Sequence, residues 1–125
     1  SQPRYVATIR DTIYRFCLQH GFARAAAFDV KVIAGEALTN IIQHAYGGGA
    51  DHPIFIEMLF FKEYGEFRFK DLGKQVPITN QMKKDLTDYR EGGLGLYLID
   101  QLSDFHVYDQ SEKVGTTLIV KKKMA

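Results

Sequence analysis

The chain has 125 residues, 46% hydrophobic and 25% charged, with a net charge of +1, a profile that suits one globular domain with a proper core. So small a charge argues against a general nucleic-acid binder, whose footprint is a strong basic excess. The single cysteine, Cys17, excludes an internal disulfide. No apolar run approaches the ~18 residues that span a bilayer, and no signal-peptide pattern opens the chain, so a cytoplasmic location without membrane contact is expected.

The chain opens abruptly at Ser-Gln-Pro-Arg-Tyr, and a further strand is expected before it. Val6, Ile9, Ile13, Phe16 and Cys17 recur at helical spacing and predict a helix from about Arg4 to His20, ending near Gly21. Cys17 lies in that apolar stripe, so it reads as a core thiol rather than as a nucleophile paired with His20. A second helix is predicted from about Ala25 or Phe28 to Tyr46. Its face is formed by Val30, Ile33, Ala34, Ala37, Leu38, Ile41, Ile42 and Ala45, and three glycines follow it. The stretch PIFIEMLFFKEYGEFRFKDLG reads as a hairpin, two β-rich runs around a glycine-containing turn. Phe67 and Phe69 alternate there with charged residues, and Asp71 shares their parity, so its carboxylate points toward the covered face.

From Lys74 to Glu91 the chain is polar, with a short helix predicted around Asn80 to Leu86. Such a connection reads as a lid, a binding loop or disorder. EGGLGLYLIDQLSDF then predicts a buried helix opened by glycines, and FHVYDQSEKVGTTLIVKKK predicts two strands around a turn. The run Lys121-Lys122-Lys123 reads as a solvated strand end. Strands grouped in hairpins, with helices to cover one face, predict an α/β two-layer sandwich in one domain.

Three short motifs could carry chemistry. Gly92 to Gly95 stand where a helix N-terminus could offer amides to phosphate, although glycines equally cap turns and allow close packing. Asp71 with Gly73 could read an exocyclic amine while letting a ligand approach the backbone, or could simply begin a turn. Glu36 and Asn40 project from one helix face. The amide oxygen suits Mg²⁺ and the carboxylate suits a general base, unless the pair is only a polar edge beside the core. His44 extends that line and reads as helix-end packing.

Taken in order, EALTN on a helix, DLG after a strand, GGLGL opening a helix and GTT on the last strand resemble a known set. It is that of the ATP-binding domain shared by gyrase, heat-shock ninety chaperones, histidine kinases and mismatch-repair ATPases. EALTNIIQHAYGGG and EGGLGLYLIDQLSDFHVY look more closely like the bacterial anti-sigma-factor serine/threonine kinases. The resemblance implies a mixed, mostly antiparallel sheet covered on one face by helices, with a lid at about residues 74–91. It implies ATP and Mg²⁺ as cofactors, Glu36 as catalytic base and Asn40 as the metal ligand. Asp71 and Gly73 would then meet adenine with Thr116 nearby, and Gly92, Gly93, Leu94 and Gly95 would hold the phosphates, with Arg90 in reach of the γ-phosphate. An anti-sigma-factor antagonist is the implied substrate, a sigma factor the competing partner, and homodimerisation is a further expectation. One departure stands out. After Asp-x-Gly the family has a second glycine or a Pro-Phe pair, whereas this chain continues Lys74-Gln75-Val76-Pro77. That difference bears on affinity and lid geometry, and it motivates an alternative: a nucleotide-gated or degenerate module that sequesters a partner without kinase turnover.

Overall fold

Helix α1 spans Arg4–Gln19 in the computed structural model, which describes residues 3–47, 52–76 and 93–125. It ends as the sequence predicts. Gly21 takes φ +98°, the left-handed conformation that suits glycine. The N–H of Phe22 donates to the Cys17 carbonyl at 3.0 Å and that of Gly21 to Leu18 at 3.3 Å, the paired bonds that satisfy a helix's last carbonyls. Cys17 is fully buried, and desolvation pushes its thiol up to about 12. His20 is engaged elsewhere, with Nδ1 2.8 Å from the Phe16 carbonyl oxygen and its ring stacked on Phe60.

Helix α2 (Arg24–Asn40) buries Ala26, Ala27, Val30, Ile33, Ala34, Ala37 and Leu38 and packs against α1, α3 (Gly93–Leu102) and the sheet. Its predicted run to Tyr46 is correct in extent but not in geometry. Ile41–Ala45 form a π-turn, in which the Tyr46 N–H donates to Ile41 at 3.1 Å. A turn of this width inserts an extra residue per turn and is common at functional sites. The four-residue line through Glu36, Asn40 and His44 assumes a uniform helix, and it breaks at Ile41.

The sheet holds β1 (Ile54–Phe60), β2 (Tyr64–Asp71), β3 (Phe105–Asp109) and β4 (Thr117–Lys123). The order is β1-β2-β4-β3 and every described pairing is antiparallel, so the expected mixed character is not seen among these strands. Phe67 and Phe69 face the helices, opposite Val120 and Leu118 of β4, and all four are buried. Emptying either phenylalanine position would cost about 3–5 kcal/mol. The glycine expected in the hairpin turn instead lies within β2. A Cβ on Gly65 would come 2.9 Å from the Phe22 ring and 3.0 Å from Phe67, so the core itself demands glycine there.

The terminal lysines are less free than their run suggested. Lys122 donates to the Leu102 carbonyl at 2.6 Å and pairs with Asp29 at 3.0 Å, while Lys121 lies over the rings of Tyr64 and Phe105. The helix expected around Asn80 to Leu86 falls outside the described residues. No helix among the described residues is long and apolar enough to cross a membrane.

Candidate functional site

Glu36 and Asn40 stand one turn apart near the end of α2, and the first turn of α3 comes directly against them. A Cβ built on Gly95 would lie 2.7 Å from Glu36 Oε2, 3.5 Å from Asn40 Oδ1 and 3.6 Å from Asn40 Nδ2. Two motifs 55 residues apart therefore meet at one point, and glycine leaves the space between them. The N-terminus of a helix carries partial positive charge and free N–H groups, so α3 presents both beside this pair.

Burial raises the Glu36 carboxyl above its usual range, and the Arg10 guanidinium opposes that shift. Arg10 crosses from α1 over Gly35, where a Cβ would meet its Cδ at 2.8 Å. Asn40 is the more telling residue. Both atoms of its amide are buried and, among the described residues, neither has a hydrogen-bond partner. An amide left so costs roughly 1–3 kcal/mol, which is sensible only where something else binds it.

The other end of the site is built on Asp71, the last residue of β2 and 4% exposed. Desolvation raises its carboxyl, with the backbones of Gly73 and Thr116 pulling it back; the Gly73 N–H donates to Oδ1 at 2.9 Å. Gly73 is pressed against the π-turn: a Cβ there would sit 2.3 Å from the Ala45 carbonyl oxygen. From the other side Gly115, at φ +85°, would put a Cβ 2.1 Å from the Asp71 carbonyl, and its N–H donates to Gly73 at 3.0 Å. Tyr46 braces the same bend, donating to the Pro53 carbonyl while accepting from the Leu72 N–H, each at 2.6 Å.

Between these ends lies a largely apolar cleft enclosing about 540 Å³ of space, its open mouth included. Asn40, Asp71 and Thr116 line it together with Ala37, Leu96 and Leu118. The structure thus gathers Asn40, Asp71 and Thr116 around one cavity, with Gly73 behind it on the Asp71 carboxylate and Glu36 and Gly95 at its Asn40 end. Gly93 opens α3 and Leu94 follows within it. Arg90 and Gly92 lie outside the described residues. His44, read as helix-end packing, lines the cleft, as do Lys74 and Tyr108. Tyr108 was legible in principle, since it faces Leu118 across the β3–β4 ladder. His44 and Lys74 owe their place to the π-turn and to the bend after Asp71, which leave no periodic signal.

Residues 1–122 match the histidine kinase-like ATPase domain family. The serine-protein kinase RsbW of Listeria monocytogenes serovar 1/2a is 31% identical, over 98% of this chain and 85% of its own. That of Bacillus subtilis strain 168 is 33% identical, over 83% of this chain and 70% of its own. In three dimensions the histidine kinase domain of the blue-light activated kinase of Erythrobacter litoralis EL346 superposes with a TM-score of 0.63. It covers 96% of this chain and 63% of its own at 15% identity, a likeness of fold. A match over almost the whole sequence means that this chain belongs to the histidine kinase-like ATPase domain family.

Proposed function

We propose that this chain is an ATP- and Mg²⁺-dependent serine/threonine protein kinase of the anti-sigma-factor type, with residues 1–125 as one catalytic domain. The observation that carries the reading is the meeting of Glu36, Asn40 and Gly95 at the head of a cleft that ends on buried Asp71. The similarity to serine-protein kinases of Listeria and Bacillus supports the choice of reaction.

In this reading the base of ATP enters the apolar cleft and Asp71 accepts from its exocyclic amine, with Thr116 alongside. Gly73 and Gly115 let the backbone pack closely on Ala45 and on the Asp71 carbonyl behind that carboxylate. The phosphates lie at the first turn of α3, where N–H groups and the helix dipole favour anions. The buried, unpartnered amide of Asn40 fits one ligand position of a hard cation. Phosphate oxygens and water would supply the remaining ligands, as is usual for Mg²⁺. A bound Mg²⁺ would neutralise charge on the transferring phosphoryl group. Glu36 is the proposed general base: it would take the proton of the substrate hydroxyl as that oxygen bonds to the γ-phosphorus and the bond from the γ-phosphorus to the β–γ bridging oxygen breaks, with ADP as the leaving group. Its raised pKa brings it nearer the working pH, where a base is most effective.

The implied substrate is a serine or threonine on an anti-sigma-factor antagonist, with a sigma factor as competing partner. Transfer of labelled γ-phosphate from ATP to candidate antagonists tests the reading. Glu36→Ala is expected to lower transfer by about 10²-fold or more, the scale of general-base catalysis. Transfer that survives the substitution intact removes Glu36 from the mechanism. Absence of ATP binding by calorimetry would instead favour a partner-binding module.

A further inference from the structure

Two glutamine amides outside the recognised motifs tie the walls of the cleft together. Gln75, in the bend after β2, sends its Nε2 into the β3–β4 turn. It lies 3.2 Å from the Gln110 carbonyl oxygen, 2.6 Å from that of Glu112 and 2.9 Å from that of Gly115. Gln110 answers it: its Nε2 is 3.0 Å from the Val76 carbonyl oxygen and 3.0 Å from Thr116 Oγ1.

Carbonyl oxygens only accept, so their positions decide which way each amide is turned. Three of them surround Gln75 Nε2, and Val76 supplies one at Gln110 Nε2; both sites therefore hold an NH₂ group. One N–H of Gln110 goes to Val76 and the other goes to Thr116. Thr116 Oγ1 is thus an acceptor toward Gln110, and its single proton is left to be donated elsewhere. Thr116 lines the cleft beside Asp71, whose own N–H donates to the Thr116 carbonyl at 3.0 Å.

We infer that Gln110, locked by Gln75, is a positioning residue that fixes Thr116 as a hydrogen-bond donor into the cleft and thereby selects a base edge with an amine beside a ring-nitrogen acceptor. The inference rests on the nucleotide site proposed above and adds what sets its selectivity. Asp71 accepts and Thr116 donates, so the matching edge offers a donor and then an acceptor, as a 6-aminopurine does. A 6-oxopurine offers the reverse, a carbonyl against the carboxylate and an N–H against the hydroxyl. Thr116 could still accept that N–H with its second lone pair, but its own proton would then be stranded. The departure at Lys74-Gln75-Val76 acquires a purpose in this account: it supplies one half of the clamp.

Equilibrium binding of ATP and ITP, with Mg²⁺ present, to the whole chain tests the inference. ITP differs from ATP only at the 6-oxo edge. Gln110→Met is expected to reduce the ATP-over-ITP preference about tenfold, the scale of one donor no longer held in place. Gln110→Glu, which turns an acceptor toward Thr116 and so draws its proton away, should reduce the preference further by weakening ATP itself. In a Thr116→Val background, Gln110→Met should leave the ratio unchanged. Should Gln110→Met fail to fold by circular dichroism, Gln75→Met serves in its place, with a smaller shift in the same direction. A clamp that merely braces the loop would weaken both nucleotides alike, and a constant ratio in these variants overturns the inference. Failure of the unaltered protein to bind ATP at all overturns the nucleotide site first and the inference with it.

Discussion

Gly95→Ala separates the chemistry of this site from its stability. Gly95 is helical and is not among the positive-φ glycines, so alanine fits its backbone and adds up to about 1 kcal/mol of helix propensity. The new methyl would lie 2.7 Å from Glu36 Oε2, where ordinary contact begins at 3.4 Å, so the oxygen must withdraw by about 3.4 − 2.7 = 0.7 Å. The Asn40 amide atoms, at 3.5 and 3.6 Å, are already at contact distance and need not move. Because the displaced atom ends a flexible side chain, the fold tolerates the shift, and the melting temperature should stay level or rise by a few degrees, at about 2–8 °C per kcal/mol. Chemistry is less tolerant: a misplacement near 1 Å can cost on the order of 10²-fold, so transfer should fall about 10- to 100-fold. Single-turnover transfer of labelled γ-phosphate, read beside a thermal melt, makes the measurement. A wild-type rate would show that Glu36 is not the base that the methyl displaces. A collapse in melting temperature would show instead that the contact is rigid and structural.

At Gly73 the opposite balance is expected. The atoms a methyl would meet are the Ala45 backbone carbonyl at 2.3 and 2.7 Å, which cannot rotate away, so Gly73→Ala should lose about 1–3 kcal/mol in urea denaturation. An unchanged midpoint would mean that the bend after Asp71 shifts freely. Glu36 has its pKa raised in the fold, chiefly by burial, so between the unfolded and folded values the native state binds the extra proton and stability falls as pH rises through that window. Glu36→Gln should therefore be more stable than the parent at neutral pH, with the gain vanishing as pH drops below the ordinary carboxylate value; a pH-independent gain contradicts this. Cys17, fully buried with its thiol pushed up to about 12, should react with maleimide at the rate of global unfolding, and fast labelling of the native protein would contradict its place in the core.

The elements were legible because each rests on local chemistry. The stripe of α1 and the glycine at its end, the parity of Phe67, Phe69 and Asp71, and the glycine-led start of α3 are all properties of short windows. The motifs that pointed to the site were legible in the same way, yet singly each kept an ordinary alternative: a polar helix edge, a turn aspartate, a turn glycine.

Tertiary structure adds proximity to those motifs. Only the packing of α3 on α2 puts Gly95 against Glu36 and Asn40, and only that burial leaves the Asn40 amide without a partner among the described residues. The π-turn at Ile41–Ala45 has no periodic signature, so the placing of His44 in the cleft and the press of Gly73 on Ala45 could not be read from spacing. Glycine's preference for turns points Gly65 to the hairpin turn, whereas the ring of Phe22 from a distant part of the chain, with that of Phe67 on the same strand, leaves no room for a side chain there. The Gln75–Gln110 clamp joins residues 35 positions apart through carbonyls whose directions the fold alone sets. By itself the sequence determined which faces are apolar, where the backbone must bend and which residue types could serve a nucleotide, since these depend on near neighbours. The three-dimensional structure decided which of those residues share a site, because hydrogen bonding, desolvation and steric exclusion act through space between groups far apart in the chain.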